Sequence, residues 1–573
     1  MSYNDIGNMT TDHEACEMLV DVLVGQGLKY AVISPGSRNA PLIVAFSREE
    51  RIRKWIVVDE RSAAFVAVGI AQQTESPVAV VCTSGSAVLN YAPAASEAYY
   101  RHLPLLFISA DRQAEWIDQN DSQTIRQSGA LANVVKRTFD IPAVVATDNR
   151  LWWINRMANE AAILARRVPM GPVHVNVQLG EPLCGLAERG AGMARIIDDC
   201  EVRRTLGKDA ARHYATMIAQ SRRVMIVAGM GQGDERLGGA LARIARLPNV
   251  VVLTETIANL ADERFIPTID RTISAIPDAE KPDFAPQLLV LFGGSLVTRM
   301  LKQFLRSYPA AEQWRIGVEN GIIDTMQHLT RNFDMEPADF FAEIAGELES
   351  IAYGDVGSNY AARWKDIEAV AAGRHAKYVD CAPWSDLKAF SVLLPRIPAA
   401  VRLHLSNGTP IRYAQLFDCP NIACSYCNRG VAGIDGTTST ALGASLVSRS
   451  ETTLLVTGDM SLSYDLNGMS SQYNSERFKI VVMCNGGGGI FRFINGPSEL
   501  PELERYFEVS RDLPVRQYAA AFGFDYYEAS DERQLADVLG SFFANDKASI
   551  LAIRTPAEQN AVILRSYFAS LRE

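Results

Sequence analysis

Two neighbouring apolar runs, VTGDMS at residues 456–461 and VVMCNGGGGIF at residues 481–491, decide the predicted fold. Each is predicted to be a buried strand that ends in a polar or glycine-rich turn. Asp459 and Asn485 lie 26 residues apart, which leaves room for one helix and one strand. Because parallel strands joined in this way end at the same edge of a sheet, we expect the two side chains to lie on adjacent strand ends.

The polar groups at these strand ends are suited to a metal ion and a phosphate group. Carboxylate and amide oxygens are the hard ligands that Mg²⁺ takes alongside phosphate oxygens and water. Gly458 and the glycines at 486–489 leave room for a phosphate group. Taken singly, the glycine run is equally consistent with a flexible loop, and Asp459 with a helix cap, so only their combination favours a ligand site.

Similar apolar runs alternate with helical patterns along the whole chain, for example in a helix predicted from a cap at Thr11 or Asp12 to Gly25 and in another over 62–73. Since helices cross over both faces of a parallel sheet, this alternation predicts an α/β fold with doubly wound parallel sheets. The predicted strands are YAVIS (30–34), WIVVD (55–59), VAVVC (78–82), LLFIS (105–109) and VHVNV (173–177), a second series RVMIVAG, NVVVL and QLLVLFG from about residue 222, and a third series RLHLSNG, IACSY, TLLVTGD, FKIVVMCN and SILAIRT from about residue 398.

These series predict three α/β domains, over residues 1–185, 195–352 and 362–573. The joins fall in stretches near 181–199 and 352–362 that are rich in Gly, Ala and polar residues. The length of 573 residues agrees, since at roughly 150 residues per domain it corresponds to three or four domains.

The charge balance excludes some classes of partner. The formal net charge of −10 argues against a general binder of nucleic acid or anionic membranes. Since no signal-peptide pattern or apolar run of membrane-spanning length is present, we expect a cytoplasmic protein with no membrane insertion. Nine thinly spread cysteines fit a reducing compartment, and the pair Cys424 and Cys427 lacks a second pair at zinc-ligand spacing.

Other loops also follow predicted strands, where ligands bind in open parallel sheets. In SPGSRNAP (34–41), Ser37 and Arg38 supply a hydroxyl and a guanidinium group suited to a carboxylate, although an ordinary capped turn is the better interpretation of this segment taken alone. Of Asp59 and Glu60, one is expected to cap a helix, which leaves Glu60 as a candidate proton donor or acceptor. GMGQG (229–233) lacks the complete dinucleotide-binding pattern and is predicted to be a loop.

Six segments in order strengthen this interpretation. SPGSRNAPL, DERSAAFVAVGIA, TSGSAVLNYAPAASEA, NDSQTIRQSGAL, NRGVAGIDGTTSTALG and GDMSLSYDLNGM resemble the family of 2-succinyl-5-enolpyruvyl-6-hydroxy-3-cyclohexene-1-carboxylate (SEPHCHC) synthases, thiamine diphosphate enzymes of menaquinone biosynthesis. The resemblance covers the first and third predicted domains, and the middle domain matches mainly in size and strand pattern. It implies a thiamine diphosphate-binding fold, with pyrimidine-binding, central and diphosphate-binding domains in that order.

The resemblance also implies an activity and a set of site residues. The activity is decarboxylation of 2-oxoglutarate and addition of the resulting succinyl carbanion equivalent to isochorismate, with thiamine diphosphate and Mg²⁺ or Mn²⁺ as cofactors. Both substrates are dicarboxylates, and the planar guanidinium group of arginine binds carboxylates well. By similarity, Glu60 and Gln123 are catalytic; Ser37, Arg38, Arg299, Thr409, Arg412 and Arg429 bind substrate; Gly458, Ser461, Gly486, Gly487, Ile490 and Phe491 bind the cofactor; and Asp459, Asn485 and the backbone carbonyl of Gly487 bind the metal.

Three positions depart from the family pattern. Cys484 stands where the family usually has Asn, Gly408 where it often has Ser, and Met300 where it often has the second residue of a basic pair. Ile490 and Phe491 are predicted either to begin the core of a helix or to line the active site.

The resemblance further implies a homodimer or homotetramer with active sites at subunit interfaces. Two alternatives remain open at this point. One is another thiamine diphosphate-dependent 2-oxoacid decarboxylase or carboligase, which has less need for the arginines. The other is a non-catalytic protein that binds a nucleotide or thiamine diphosphate.

Overall fold

The computed structural model describes residues 9–143, 148–190, 194–351, 357–419, 421–448, 451–493, 496–508 and 512–573. The strands are β1 (Met9–Thr11), β2 (Tyr30–Ile33), β3 (Arg53–Ile56), β4 (Val78–Cys82), β5 (Leu105–Asp111), β6 (Thr138–Ile141), β7 (Val173–Gln178), β8 (Leu186–Glu188), β9 (Val224–Ala228), β10 (Val250–Thr254), β11 (Leu288–Phe292), β12 (Glu312–Ile316), β13 (Arg331–Phe333), β14 (Val401–Leu405), β15 (Ile422–Tyr426), β16 (Thr453–Gly458), β17 (Phe478–Cys484), β18 (Asp525–Ala529) and β19 (Ser549–Arg554).

Helices connect most of these strands. They are α1 (Glu14–Gly25), α2 (Ala40–Arg48), α3 (Glu60–Thr74), α4 (Ser86–Leu89), α5 (Ala92–Tyr100), α6 (Asp148–Arg166), α7 (Lys208–Gln220), α8 (Glu235–Ile244), α9 (Ile269–Ser274), α10 (Lys281–Phe284), α11 (Arg299–Ser307), α12 (Pro337–Ser350), α13 (Tyr360–Cys381), α14 (Asp386–Leu393), α15 (Thr409–Ala414), α16 (Thr437–Val447), α17 (Asp459–Tyr464), α18 (Val515–Ala521), α19 (Glu532–Ala544) and α20 (Ala557–Ser570).

By its internal contacts the chain divides into two compact units. The first unit comprises Met1–Glu201, Gly430–Ser450 and Tyr464–Ser475, and the second comprises Val202–Arg429, Glu451–Ser463 and Glu476–Glu573. The first unit contains a six-stranded parallel sheet in the order β3-β2-β4-β5-β7-β6. Helices α1, α2 and α6 pack in one hydrophobic core with this sheet, while α3 packs against β2, β4 and α5.

The second unit contains two further parallel sheets. One has five strands in the order β10-β9-β11-β12-β13, and the other has six in the order β15-β14-β16-β17-β19-β18. Strands β9 and β11 are buried along their whole length, as expected for strands covered by helices on both faces. The α/β fold with several helix-flanked parallel sheets is therefore confirmed.

The described residues refine several predicted elements. Strand β3 covers Arg53–Ile56 and not 55–59, because the chain after Ile56 turns towards the start of α3. The predicted cap of α1 at Thr11 or Asp12 is wrong: Thr11 ends β1, and the N-cap residue is His13.

The three large sheets lie within residues 30–178, 224–333 and 401–554. The proposed domain bounds remain a prediction, and residues 1–8 and 352, which lie at these bounds, fall outside the described residues. Among the helices of the described part of the chain, none is long and apolar enough to cross a membrane.

Candidate active site

Glu60 is the first residue of α3, and its neighbour Asp59 caps that helix. The Asp59 carboxylate accepts hydrogen bonds from the backbone amides of Arg61 and Ser62 at 2.9 and 3.3 Å. Glu60 is half-buried, and its carboxylate has no hydrogen-bond partner among the described residues. Because Asp59 supplies the helix cap, the Glu60 carboxylate remains available for proton transfer.

Two turns that follow strands of the first sheet contain glycines at which neighbouring chain segments approach closely. A β-carbon at Gly36 would overlap the side chain of Thr83. Gly85 has a φ of +77° and faces Gln123, whose Nε2 donates to the Ser84 carbonyl oxygen at 2.7 Å. The Ser84 hydroxyl in turn donates to the Gln123 carbonyl oxygen at 2.9 Å. The exposed Gln123 side chain is thus anchored to the turn after β4.

Arg38 is buried and already has partners within its own unit. Its Nη1 donates to the Leu179 carbonyl oxygen at 3.2 Å, and its Nη2 lies 3.1 Å from a carboxylate oxygen of Glu181. The side chain of Glu181 is 66% exposed, and Ser37 beside Arg38 is also exposed. A substrate carboxylate at Arg38 would therefore have to replace or share the contact with Glu181.

In the second unit, the Asp459 carboxylate accepts hydrogen bonds from three backbone amides. Its Oδ1 accepts from Met460 at 2.7 Å, and its Oδ2 accepts from Gly486 and Gly487 at 2.9 and 3.1 Å. Both glycines have left-handed backbone angles, with φ of +87° and +117°. Burial raises the pKa of the Asp459 carboxyl to about 6, against the lowering effect of these amides.

Asn485 lies on the neighbouring strand end, as predicted, because β16 and β17 are adjacent and parallel. Its Nδ2 donates to the buried carboxylate of Asp386 at 2.8 Å. Asp386 also accepts from the Thr555 hydroxyl at 2.5 Å, and its backbone amide donates to Asn560 Oδ1 at 2.8 Å. With Nδ2 engaged in this way, Asn485 Oδ1 has no hydrogen-bond partner among the described residues.

These donors fit a hydrated divalent cation beside a diphosphate. The set offers one carboxylate, one amide oxygen and one backbone carbonyl, which are hard oxygen ligands. A β-carbon at Gly458 would meet open space, so this strand end has room for a ligand. The described residues contain no cluster of three or more His, Cys, Asp or Glu side chains suited to a metal, so a metal here depends on this mixed set and on the ligand's own oxygens.

In the second unit, two of the predicted arginines, Arg429 and Arg299, lie close enough to a third, Arg412, to influence its charge. Removal from water and the nearby guanidinium group of Arg429 lower the pKa of Arg412, and Arg299 adds to this effect. Arg429 is 8% exposed, with Nη1 donating to Asn407 Oδ1 at 3.0 Å. Among the described residues, none of the three forms an ion pair with a carboxylate. Unpaired cations of this kind are suited to an anionic ligand.

The remaining predicted residues have mixed surroundings. Thr409 is buried at the start of α15, and Gly408 before it has a φ of +94°, a conformation that disfavours the Ser of the family pattern. Ser461 is buried. Ile490 and Phe491 lie in a short helical turn, Gly489–Arg492, that has no buried residue, so their interpretation as helix core is not supported.

Two residues of these networks escaped the sequence analysis, Asp386 and Asn407. Asp386 contacts a residue 99 positions away, and Asn407 contacts Arg429 22 positions away. Their only local signals are those of turns and helix starts, which are common to residues without a functional role.

Comparison with known proteins defines the class first. Residues 13–130 match the family model of the thiamine pyrophosphate enzyme N-terminal TPP binding domain, and residues 410–553 match that of the C-terminal TPP binding domain. Glu60 falls in the first match and Asp459 and Asn485 in the second, so the fold and the glycine-lined strand ends are those of a thiamine diphosphate-dependent enzyme.

Full-length relatives define the family. The chain is 43% identical to the SEPHCHC synthase of Porphyromonas gingivalis, over 97% of each chain. It is 38% identical to the synthase of Flavobacterium psychrophilum, over 97% of this chain and 98% of the relative, and 35% identical to that of Desulfotalea psychrophila, over 88% and 91%. The chain belongs to the SEPHCHC synthase family.

Proposed function

We propose that the chain catalyses decarboxylation of 2-oxoglutarate and transfer of the succinyl group to isochorismate, a step of menaquinone biosynthesis. The observation that carries this proposal is the group formed by Arg412 and the nearby Arg299 and Arg429, none of which has an ion pair among the described residues. Such a group suits dicarboxylates, and it lies in the same unit as the glycine-lined site of Asp459.

Thiamine diphosphate is the cofactor of this enzyme class, and when bound it supplies an electron sink for the decarboxylation of a 2-oxoacid. Gly458, Ser461, Gly486, Gly487, Ile490 and Phe491 would hold it. We propose that Asp459, Asn485 and the Gly487 carbonyl bind Mg²⁺ or Mn²⁺. The Gly487 carbonyl accepts from the Gly489 amide at 2.5 Å, which leaves its second lone pair for a metal.

We propose that Glu60 takes part in proton transfer and that Gln123 positions the substrate. The Glu60 carboxyl group, half-buried and not needed as a helix cap, would hold a proton towards the cofactor's pyrimidine nitrogen. Gln123 has its Nε2 engaged by Ser84, so its amide oxygen is oriented to accept a hydrogen bond.

The substrate carboxylates are proposed to bind Arg299, Arg412 and Arg429 in the second unit, with the hydroxyl of Thr409. Ser37 and Arg38 would bind a further carboxylate once Arg38 exchanges its contact with Glu181. A bidentate guanidinium–carboxylate pair fixes the orientation of the substrate as well as compensating its charge.

The family resemblance supports a homodimer or homotetramer with active sites at subunit interfaces. The nine free cysteines are consistent with a cytoplasmic location.

Substrate pairs test the proposal. Purified protein with thiamine diphosphate and Mg²⁺ is assayed for CO₂ release and product mass with 2-oxoglutarate plus isochorismate, and with pyruvate alone. The proposal requires turnover of the first pair. Turnover of pyruvate alone, with none of the pair, would assign the chain to another 2-oxoacid decarboxylase.

A further inference from the structure

Lys302 is a fourth cation beside the arginines of the second unit. It lies on α11, three residues after Arg299, and is half-buried. Its Nζ donates to the Leu296 carbonyl oxygen at 3.0 Å. The same oxygen accepts from Arg429 Nη2 at 3.4 Å. One carbonyl oxygen thus holds an ammonium and a guanidinium group next to each other.

This proximity of like charges is not relieved by ion pairing. Among the described residues, neither Lys302 nor Arg429 forms an ion pair. The buried carboxylate of Glu255 is close enough to influence both charges, but its oxygens accept hydrogen bonds from the backbone amides of Val297 and Thr298 at 2.8 to 2.9 Å. Glu255 therefore holds the loop that carries Leu296 and does not neutralise either cation by direct contact.

A half-buried ammonium group and a buried guanidinium group on one carbonyl oxygen are costly unless an anion joins them, because each loses hydration and repels the other. Burial and the charges of Arg429 and Arg412 lower the pKa of the Lys302 ammonium group. An ammonium group has three donors, and Lys302 uses one of them on Leu296, which leaves two for a carboxylate.

We propose that Lys302 is a further substrate-binding residue, whose ammonium group binds a carboxylate of 2-oxoglutarate or of isochorismate beside Arg429. This inference rests on the proposed function, since that function supplies the two dicarboxylates. Lys302 would act with Arg429 as a two-residue clamp and would favour substrates that carry the second carboxylate.

Lys302→Met tests the clamp, because it removes the charge and keeps a long side chain. KM is measured for each substrate with the other saturating. We expect KM for one substrate to rise about ten- to a hundredfold, as for a lost charge-assisted hydrogen bond. We expect kcat to change less than about threefold, and the Kd of thiamine diphosphate to stay unchanged. The substrate whose KM rises is the one that Lys302 binds.

Three companion variants separate charge from packing. Lys302→Arg keeps the charge and is expected to retain KM within about threefold, whereas Lys302→Gln keeps a donor for Leu296 and is expected to behave like Lys302→Met. Lys377→Met is the matched control, because Lys377 is an exposed lysine of α13 in the same unit. It is expected to leave both KM values unchanged.

Wild-type KM values in Lys302→Met and Lys302→Gln would overturn the inference and leave the proposed function intact. An equal rise of KM in Lys377→Met, or a KM in Lys302→Arg as high as in Lys302→Met, would have the same consequence. If wild-type protein does not turn over the substrate pair, the proposed function fails, and the inference fails with it.

Discussion

The Asp459 carboxylate is buried, accepts three backbone amide hydrogen bonds and has no cation within ion-pairing distance among the described residues. Burial of such a group is unfavourable unless a positive charge compensates it. Three amides compensate part of the charge, and a divalent cation would compensate the rest.

Asp459→Ala is therefore expected to weaken thiamine diphosphate binding at least about tenfold in the presence of Mg²⁺, since a metal ligand is lost. Isothermal titration with and without Mg²⁺ measures this, and without the metal the variant and wild type are expected to bind alike. Asp537→Ala, at an exposed position of α19, is the control. Equal Mg²⁺ dependence in Asp459→Ala and wild type would exclude Asp459 as a ligand.

Glu60→Gln keeps the shape of the side chain and removes its acidity. Activity is expected to fall about a hundredfold or more, because general acid–base groups contribute on this scale, while the Kd of thiamine diphosphate stays within about threefold. Glu14→Gln is a matched control, since Glu14 is the exposed first residue of α1 in the same unit. Full activity of Glu60→Gln would remove Glu60 from the proposed proton transfer.

At the scale of elements, α3 and α16 in the first unit approach each other through glycines. A β-carbon at Gly69 would overlap the Thr440 carbonyl oxygen, and one at Gly443 would overlap the Val66 carbonyl oxygen. Helices this close exclude any side chain at the contact. This contact stabilises the position of α3, the helix that begins with Glu60.

Gly69→Ala is expected to lower the midpoint of thermal unfolding, at a cost of about 1–3 kcal/mol, because the added methyl group meets rigid backbone. Gly540→Ala is the matched helical control. A β-carbon there meets open space, so it is expected to leave the midpoint unchanged or raise it slightly. Equal midpoints for Gly69→Ala and wild type would contradict the close packing.

Helix α16 begins at a glycine cap, and Asp465 supplies the missing acceptor. Its carboxylate accepts from the backbone amide and the hydroxyl of Ser439 at 2.7 and 2.8 Å. Burial raises the pKa of the Asp465 carboxyl to about 6. Because the folded-state pKa lies above the unfolded value, the contribution of Asp465 to stability is greatest at low pH and is lost as pH rises through about 6.

We therefore expect the free energy of unfolding of wild type, relative to Asp465→Asn, to fall by about 1 kcal/mol between pH 5 and pH 7.5. Chemical denaturation of both proteins at the two pH values measures this, and the neutral Asn side chain supplies the pH-independent reference. A difference that is constant or grows with pH would show that the Asp465 pKa is not raised.

At the scale of the whole molecule, apolar strands were predictable from the sequence, whereas strands with many polar residues, including the buried central strand β12 (EQWRI), were not. VAVVC is a continuous apolar run, and FKIVVMC is apolar except for Lys479, because helices cover both faces of their sheets. TFDI (138–141) and DYYEA (525–529), both at sheet edges, escaped prediction because polar residues interrupt their apolar pattern. Likewise, the sequence motifs point to Asp459 and Asn485, but Asp386 is found only through its fold-dependent contact with Asn485.

The central claim is that the protein joins a decarboxylated 2-oxoglutarate to isochorismate. The most direct test is the reaction of wild-type protein, thiamine diphosphate and Mg²⁺ with uniformly ¹³C-labelled 2-oxoglutarate and unlabelled isochorismate, followed by mass spectrometry. We predict labelled CO₂ and a product that contains all the carbons of isochorismate plus four labelled carbons. Release of labelled CO₂ without any labelled isochorismate adduct, or no release at all, would contradict the claim.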